Sequence, residues 1–167
     1  GCIKSRYAYQ SIEWNILFLI YGMLALGMVM QDTGASKLIA SSVGDMTLGI
    51  TDGPLKLIVT LIALYLITSI LTELLSNAAT IVIMAPISLE IAQQLNLSAY
   101  DARAFLLTTC IAASASFITP IGYQTNTFVY TVGGYRFSDF ARIGIFLNLI
   151  YFTGTILLVS YFWNFWW

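Results

Sequence analysis

From Ala104 to Tyr135 the chain carries no charged side chain, and the same holds for 14–31, 57–72, 74–89 and everything after Arg142. A helix that crosses a bilayer needs roughly 20 mainly apolar residues. Charge-free runs of this length and number therefore predict an all-α integral membrane protein with several passes, and they leave little chain for a water-soluble domain. Composition agrees: 59% of the residues are hydrophobic and 9% charged, against about 25% charged in a soluble domain.

The charges that remain exclude several functions. Seven basic and eight acidic residues nearly cancel, which argues against nucleic acid as a partner. The absence of His removes imidazole acid–base chemistry and most transition-metal sites. Cys2 and Cys110 are isolated and have no CxxC spacing. No P-loop, GxSxG or dinucleotide glycine pattern is present, so the chain does not read as an enzyme. It begins at Gly1 rather than Met and shows no signal peptide, which fits a piece of a longer protein.

Along the chain, residues 14–30 predict a transmembrane helix with Trp14 at the interface and Gly22 and Gly27 permitting close helix contact. Residues 33–46, apolar at 35, 38, 39 and 43, predict a short interfacial helix. Residues 55–95 hold two helical runs joined only by Glu73-Leu74-Leu75-Ser76-Asn77, without Gly, Pro or a basic residue. Such a junction predicts a re-entrant helical hairpin with its tip at membrane depth, the alternative being two full spans with a short exposed turn. Residues 101–132 start near Asp101 as a helix running to 118. Thr119-Pro120-Ile121-Gly122-Tyr123-Gln124-Thr125-Asn126-Thr127 then predicts a break in mid-membrane, with the helix resuming at about 125. A simple Pro kink is the alternative. Residues 143–163 predict the last span, closed by Trp163, Trp166 and Trp167. Placing Lys4, Arg6, Arg136 and Arg142 in the cytoplasm satisfies the positive-inside rule by four residues to three.

Two membrane-buried breaks rich in neutral oxygens are the pattern of a secondary transporter, in which freed carbonyls hold a cation and helix N-termini face an anion. Thr72, Ser76, Asn77, Thr125 and Asn126 offer oxygens suited to a hard cation. The N–H groups of 78–80 and 125–128 would face an anion. Glu73 is the one ionisable group in the two breaks. It reads either as a functional intramembrane carboxylate or as a group beside a wet hairpin tip.

The segments TELLSNAATIVIMAPI (72–87) and SASFITPIGYQTNTFVYTVGGYRFSDFARIG (114–144) closely resemble the divalent anion:sodium symporter family, the sodium/dicarboxylate and sodium/sulfate cotransporters. The GYQTN and GGYRFSDF forms are most similar to the sulfate-type branch. RYAYQSIEW and GMLALGMVMQDTGAS extend the resemblance over nearly the whole chain. It implies the second of two inverted repeats, hence an upstream N-terminal repeat as partner, along with the lipid bilayer, a multi-pass plasma (inner) membrane location and a tendency to homodimers. It implies a small inorganic or dicarboxylate anion as substrate and sodium as the coupling ion. Carried over by motif, Ser76, Asn77, Ala78, Gln124, Thr125 and Asn126 would line the substrate, and Thr72, Leu75 (by its backbone), Asn77 and Gly122 would hold sodium. Ala78 stands where many members carry Thr or Asn, which removes one side-chain contact to the anion. Phe146 stands where related sequences tend to have Pro.

The resulting expectation is sodium-coupled symport of a divalent anion by alternating access. Two alternatives stand beside it. One is a proton-coupled or exchanging carrier of the wider ion-transporter clan. The other is a non-transporting membrane protein lacking the first repeat, and on either account the 167 residues alone should be inactive.

Overall fold

A computed structural model describes residues 14, 18, 21–22, 25, 28–30, 32–45 and 53–165. Much of the span expected at 14–30, the RYAYQSIEW motif before Trp14, the 46–52 loop and Trp166-Trp167 lie outside these residues. Six helices follow in order: α1 (Ala35–Asp45), α2 (Pro54–Leu74), α3 (Asn77–Gln94), α4 (Ala102–Ser114), α5 (Gln124–Gly133) and α6 (Phe137–Phe162). The described parts of 14–30 are helical as well, and no strand occurs among the described residues.

Pro54 opens α2 in the first helical turn, where its missing N–H costs nothing. The helix then runs for 21 residues, about 31 Å at 1.5 Å per residue. It stops because Leu75 (φ −116°, ψ 164°) and Ser76 (φ −65°, ψ 148°) are extended. Neither needs positive φ, which explains a tight junction built without glycine. Ser76 then caps α3, its Oγ accepting from the Ala79 N–H at 3.3 Å.

Two helices differ in extent from the expectation. The helix starting near Asp101 ends at Ser114 rather than 118, because Ala115 (φ −87°, ψ 51°) leaves the helical region. At 13 residues, or about 20 Å, α4 is shorter than the roughly 30 Å apolar core of a bilayer. The last helix begins at Phe137 rather than 143; Asp139 Oδ2 accepts the Arg136 N–H at 2.8 Å and so starts it six residues sooner. Among the described residues, α2 and α6 are the two helices long and apolar enough to cross a membrane.

The core lies between α1, α2, α3 and α4, with Leu61, Leu64, Tyr65, Met84, Ile87, Phe105 and Ala112 buried. Several hydroxyls buried there bond back to the preceding turn, as Thr68 does to Leu64 O at 2.7 Å and Thr109 to Phe105 O at 2.9 Å. α6 packs across α2 and α4, and Tyr65 meets Phe152 edge to face, with ring centroids 5.2 Å apart. At one end of the bundle Trp163 Nε1 donates to Tyr100 O at 3.0 Å, tying α6 to the α3–α4 link. The other end gathers the end of α2, the start of α3 and the non-helical stretch 115–123.

The candidate ion and anion site at the junction of two helix breaks

The break at 75–76 and the break at 115–123 are pressed against each other. Gly122 is buried, and a Cβ built on it would lie 2.1 Å from Ser116 Oγ, 3.1 Å from Thr72 O and 3.3 Å from Glu73 Cα. Glycine therefore permits the close approach. A side chain here would displace the Ser116 hydroxyl and crowd the end of α2.

Glu73 holds the junction from the other direction. It is 7% exposed, and its two carboxylate oxygens accept the N–H groups of Ile118 and Thr119, each at 2.8 Å. The Thr119 hydroxyl stands 3.2 Å from Glu73 O and also accepts the Gly122 N–H at 3.1 Å. These N–H groups belong to backbone that has left the helix, and burial without an acceptor would cost about 1–3 kcal/mol each. Glu73 has no basic partner among the described residues. Beyond the two readings the sequence offered, the carboxylate acts as a clamp on the second break.

Thr72 is fully buried. Its Oγ1 lies 2.5 Å from Ala113 O and 2.9 Å from the Asn77 side-chain oxygen. One hydroxyl hydrogen cannot serve two acceptors. The shorter contact, to a carbonyl that has no proton of its own, takes it. The Asn77 amide must then turn its NH2 towards Thr72 Oγ1, since amide orientation is fixed by the network around it. That leaves the Asn77 Oδ1 pointing away from Thr72.

The structure thus brings Thr72, Asn77 and Gly122 to one place, next to the extended Leu75. The remaining candidates are arranged less uniformly. Asn126 turns back, its Nδ2 donating to Ser116 O at 3.1 Å with Thr119 O at 3.5 Å. Ser76, Gln124 and Thr125 are exposed, and Ala78 is half-buried. Ser76 is committed to capping α3, and with Thr80 N–H bonded to Ser76 O at 2.9 Å only the N–H groups of Asn77 and Ala78 remain open in that first turn. The expected set of 78–80 is corrected accordingly. In α5 the Thr127 N–H is bonded to Tyr123 O at 3.1 Å. That helix has no side-chain cap, so 124–126 present the open donors instead of 125–128.

Sequence reasoning missed two contributors. Ser116 is 3% exposed, and its Oγ has no hydrogen-bond partner among the described residues. Asn148, in the middle of α6, donates through Nδ2 to Ser69 Oγ and to Ala115 O, both at 3.1 Å. A lone amide in the charge-free span expected at 143–163 was a usable signal for Asn148. Ser116 lay in a run of small residues and gave none. Close by, Gly144 of α6 lets the helix touch the break directly: a Cβ there would fall 2.1 Å from Phe117 O and 2.8 Å from Ile118 Cα.

Comparison with known proteins places this arrangement. The family model for citrate transporters matches residues 1–110. An uncharacterized transporter of Synechocystis is 45% identical over 95% of this chain and 25% of its own length. Solute carrier family 13 member 2 of Mus musculus is 33% identical over 84% of this chain and 22% of its own length. Sodium/sulfate cotransporter 1 of Chlamydomonas reinhardtii is 30% identical over 86% of this chain and 16% of its own length. The chain spans about a quarter of the length of the Synechocystis relative and less of the other two. Its relatives are transporters rather than enzymes. The chain is an integral membrane protein that belongs to the citrate-transporter family.

Proposed function

We propose that these residues form one half of the site of a secondary active transporter that couples sodium to a divalent anion, sulfate or a dicarboxylate, and moves it by alternating access. The observation that carries this reading is the contact of the two breaks at Thr72 and Gly122. It gathers neutral oxygens and two helix N-termini within an otherwise apolar bundle.

The residues suit a sodium ion. Hard cations take neutral oxygen ligands, and the junction offers Thr72 O, the outward-turned Asn77 Oδ1 and the unwound backbone at Leu75 and Gly122. A buried carboxylate without a basic neighbour adds negative potential beside them, and buried charge calls for a counter-charge. When bound, sodium would supply positive charge against which the anion is held. The chain's own part is to aim open N–H groups at that anion, those of Asn77 and Ala78 from α3 and those of 124–126 from α5. Two relatives bear names that fit: one is called a sodium/sulfate cotransporter and the other a solute carrier of family 13.

The hairpin is read as re-entrant. α6 runs 26 residues, about 39 Å, and touches the second break at Gly144, its eighth residue. The hairpin tip beside that break therefore lies roughly 10 Å short of the end of α6. Irregular backbone at such depth is tolerated where protein or a water-filled cavity surrounds it. An upstream repeat would close the other side of the site, and without one the chain should neither bind nor move substrate.

The test is uptake of labelled sulfate and succinate into vesicles carrying the intact gene product. Uptake should require an inward sodium gradient and should persist when the proton gradient is collapsed. Uptake driven by protons, or by exchange without sodium, would replace this reading with the proton-linked or exchanging carrier. No uptake of either anion would favour a non-transporting protein.

A further inference from the structure

We propose that the hydroxyl of Ser116 is an additional oxygen ligand of the cation at this junction, and so a residue that sets cation affinity. The inference rests on the sodium-coupled reading above and concerns a position to which the sequence motifs gave no role.

Three observations lead there. Ser116 is 3% exposed and its Oγ has no hydrogen-bond partner among the described residues. A buried hydroxyl left in that condition is unfavourable, and native structures rarely keep one without a use. Secondly, the hydroxyl stands at the oxygen cluster. It lies 2.1 Å, and Thr72 O 3.1 Å, from the place a Gly122 Cβ would take. Gly122 therefore leaves open the space in which the hydroxyl stands. Thirdly, the backbone around Ser116 is fixed by other bonds: Ser116 O accepts from Asn126 at 3.1 Å and Ala115 O from Asn148 at 3.1 Å. The hydroxyl is thus held in place while itself unsatisfied.

Other buried hydroxyls also lack partners: those of Tyr65, Thr80, Thr108 and Ser160. Thr80, Thr108 and Ser160 lie inside helices, where one χ1 rotation reaches the carbonyl of the preceding turn. Tyr65 lies in α2 against Phe152, away from either break. Ser116 lies past the end of α4, in non-helical chain, so the regular geometry that brings a helical hydroxyl to the carbonyl of the preceding turn does not apply to it. Its lone pairs suit a hard monovalent cation, and its size suits the shallow space over Gly122.

The experiment is thermal unfolding of the intact gene product in detergent, titrated with sodium chloride at constant ionic strength against choline chloride. Wild-type protein should gain stability with sodium, as any ligand bound by the folded state confers. Ser116→Ala should need about tenfold more sodium for the same gain, while its midpoint in choline alone stays at or above that of wild type. Gly122→Ala, which fills the hydroxyl's space, should weaken the sodium response in the same direction. A Ser116→Ala titration that overlays wild type would overturn the inference and leave sodium coupling intact. A midpoint lowered equally with and without sodium would also overturn it, by making Ser116 a packing residue. A wild-type protein indifferent to sodium would overturn both the inference and the coupling on which it rests.

Discussion

Glu73 joins the two breaks at the scale of single atoms. Its carboxylate takes the Ile118 and Thr119 N–H groups, and its own carbonyl lies 3.2 Å from the Thr119 hydroxyl. Replacing it by Gln turns one acceptor into a donor that faces an N–H. Glu73→Gln should therefore lower stability by about 1–3 kcal/mol, the cost of one orphaned buried donor. Thermal unfolding of the intact protein measures it. An unchanged midpoint would mean that the 118–119 backbone finds its acceptors elsewhere.

At the scale of elements, the account turns on helices that stop early and on one that runs past them. α6 reaches the break because Gly144 has no side chain. Gly144→Ala would drive a methyl into the backbone of Phe117 and Ile118, with nothing flexible to yield, and should cost about 1–3 kcal/mol. Gly154, ten residues further along α6 with open space around it, is the internal control. There alanine should be neutral or stabilising by up to about 1 kcal/mol, by helix propensity. Equal effects at the two positions in unfolding experiments would contradict the packing.

How much of these elements the sequence displayed depends on where the cause lies. The end of α2 was visible because Ser76-Asn77 carries local capping chemistry between two apolar runs. The resumption at Gln124 was visible because Pro120 and Gly122 interrupt the pattern. The end of α4 at Ser114 was not, since Ala115 to Ile118 continue the apolar composition of the helix. What draws that backbone away is a carboxylate 45 residues earlier in the chain, and no local pattern reports it. For the same reason Thr72, Asn77 and Gly122 could be singled out by motif. Ser116 and the clamping role of Glu73 emerged only from tertiary geometry, as did the choice of which N–H groups remain open.

For the molecule as a whole, the surface is as informative as the core. Large apolar side chains stand exposed along α6, among them Ile143 (70%), Phe146 (66%) and Leu158 (58%). α5 has no buried residue at all and exposes Phe128 and Val132. Apolar surface on this scale belongs against lipid or further protein, as fits an integral membrane protein whose relatives are several times longer. Phe146 sits on this exposed face of an unbroken helix.

The central claim is that the junction of the two breaks, with Asn77 at its centre, is where cation and anion are held. The most direct measurement is sodium-dependent uptake of labelled sulfate and succinate by the intact gene product carrying Asn77→Ala, with membrane protein levels matched to wild type. The account predicts that uptake falls by at least about tenfold, the loss of one or two contacts to charged ligands, and that raising sodium restores part of it. Uptake in Asn77→Ala equal to wild type, with the same sodium dependence, would place the site elsewhere and contradict the account.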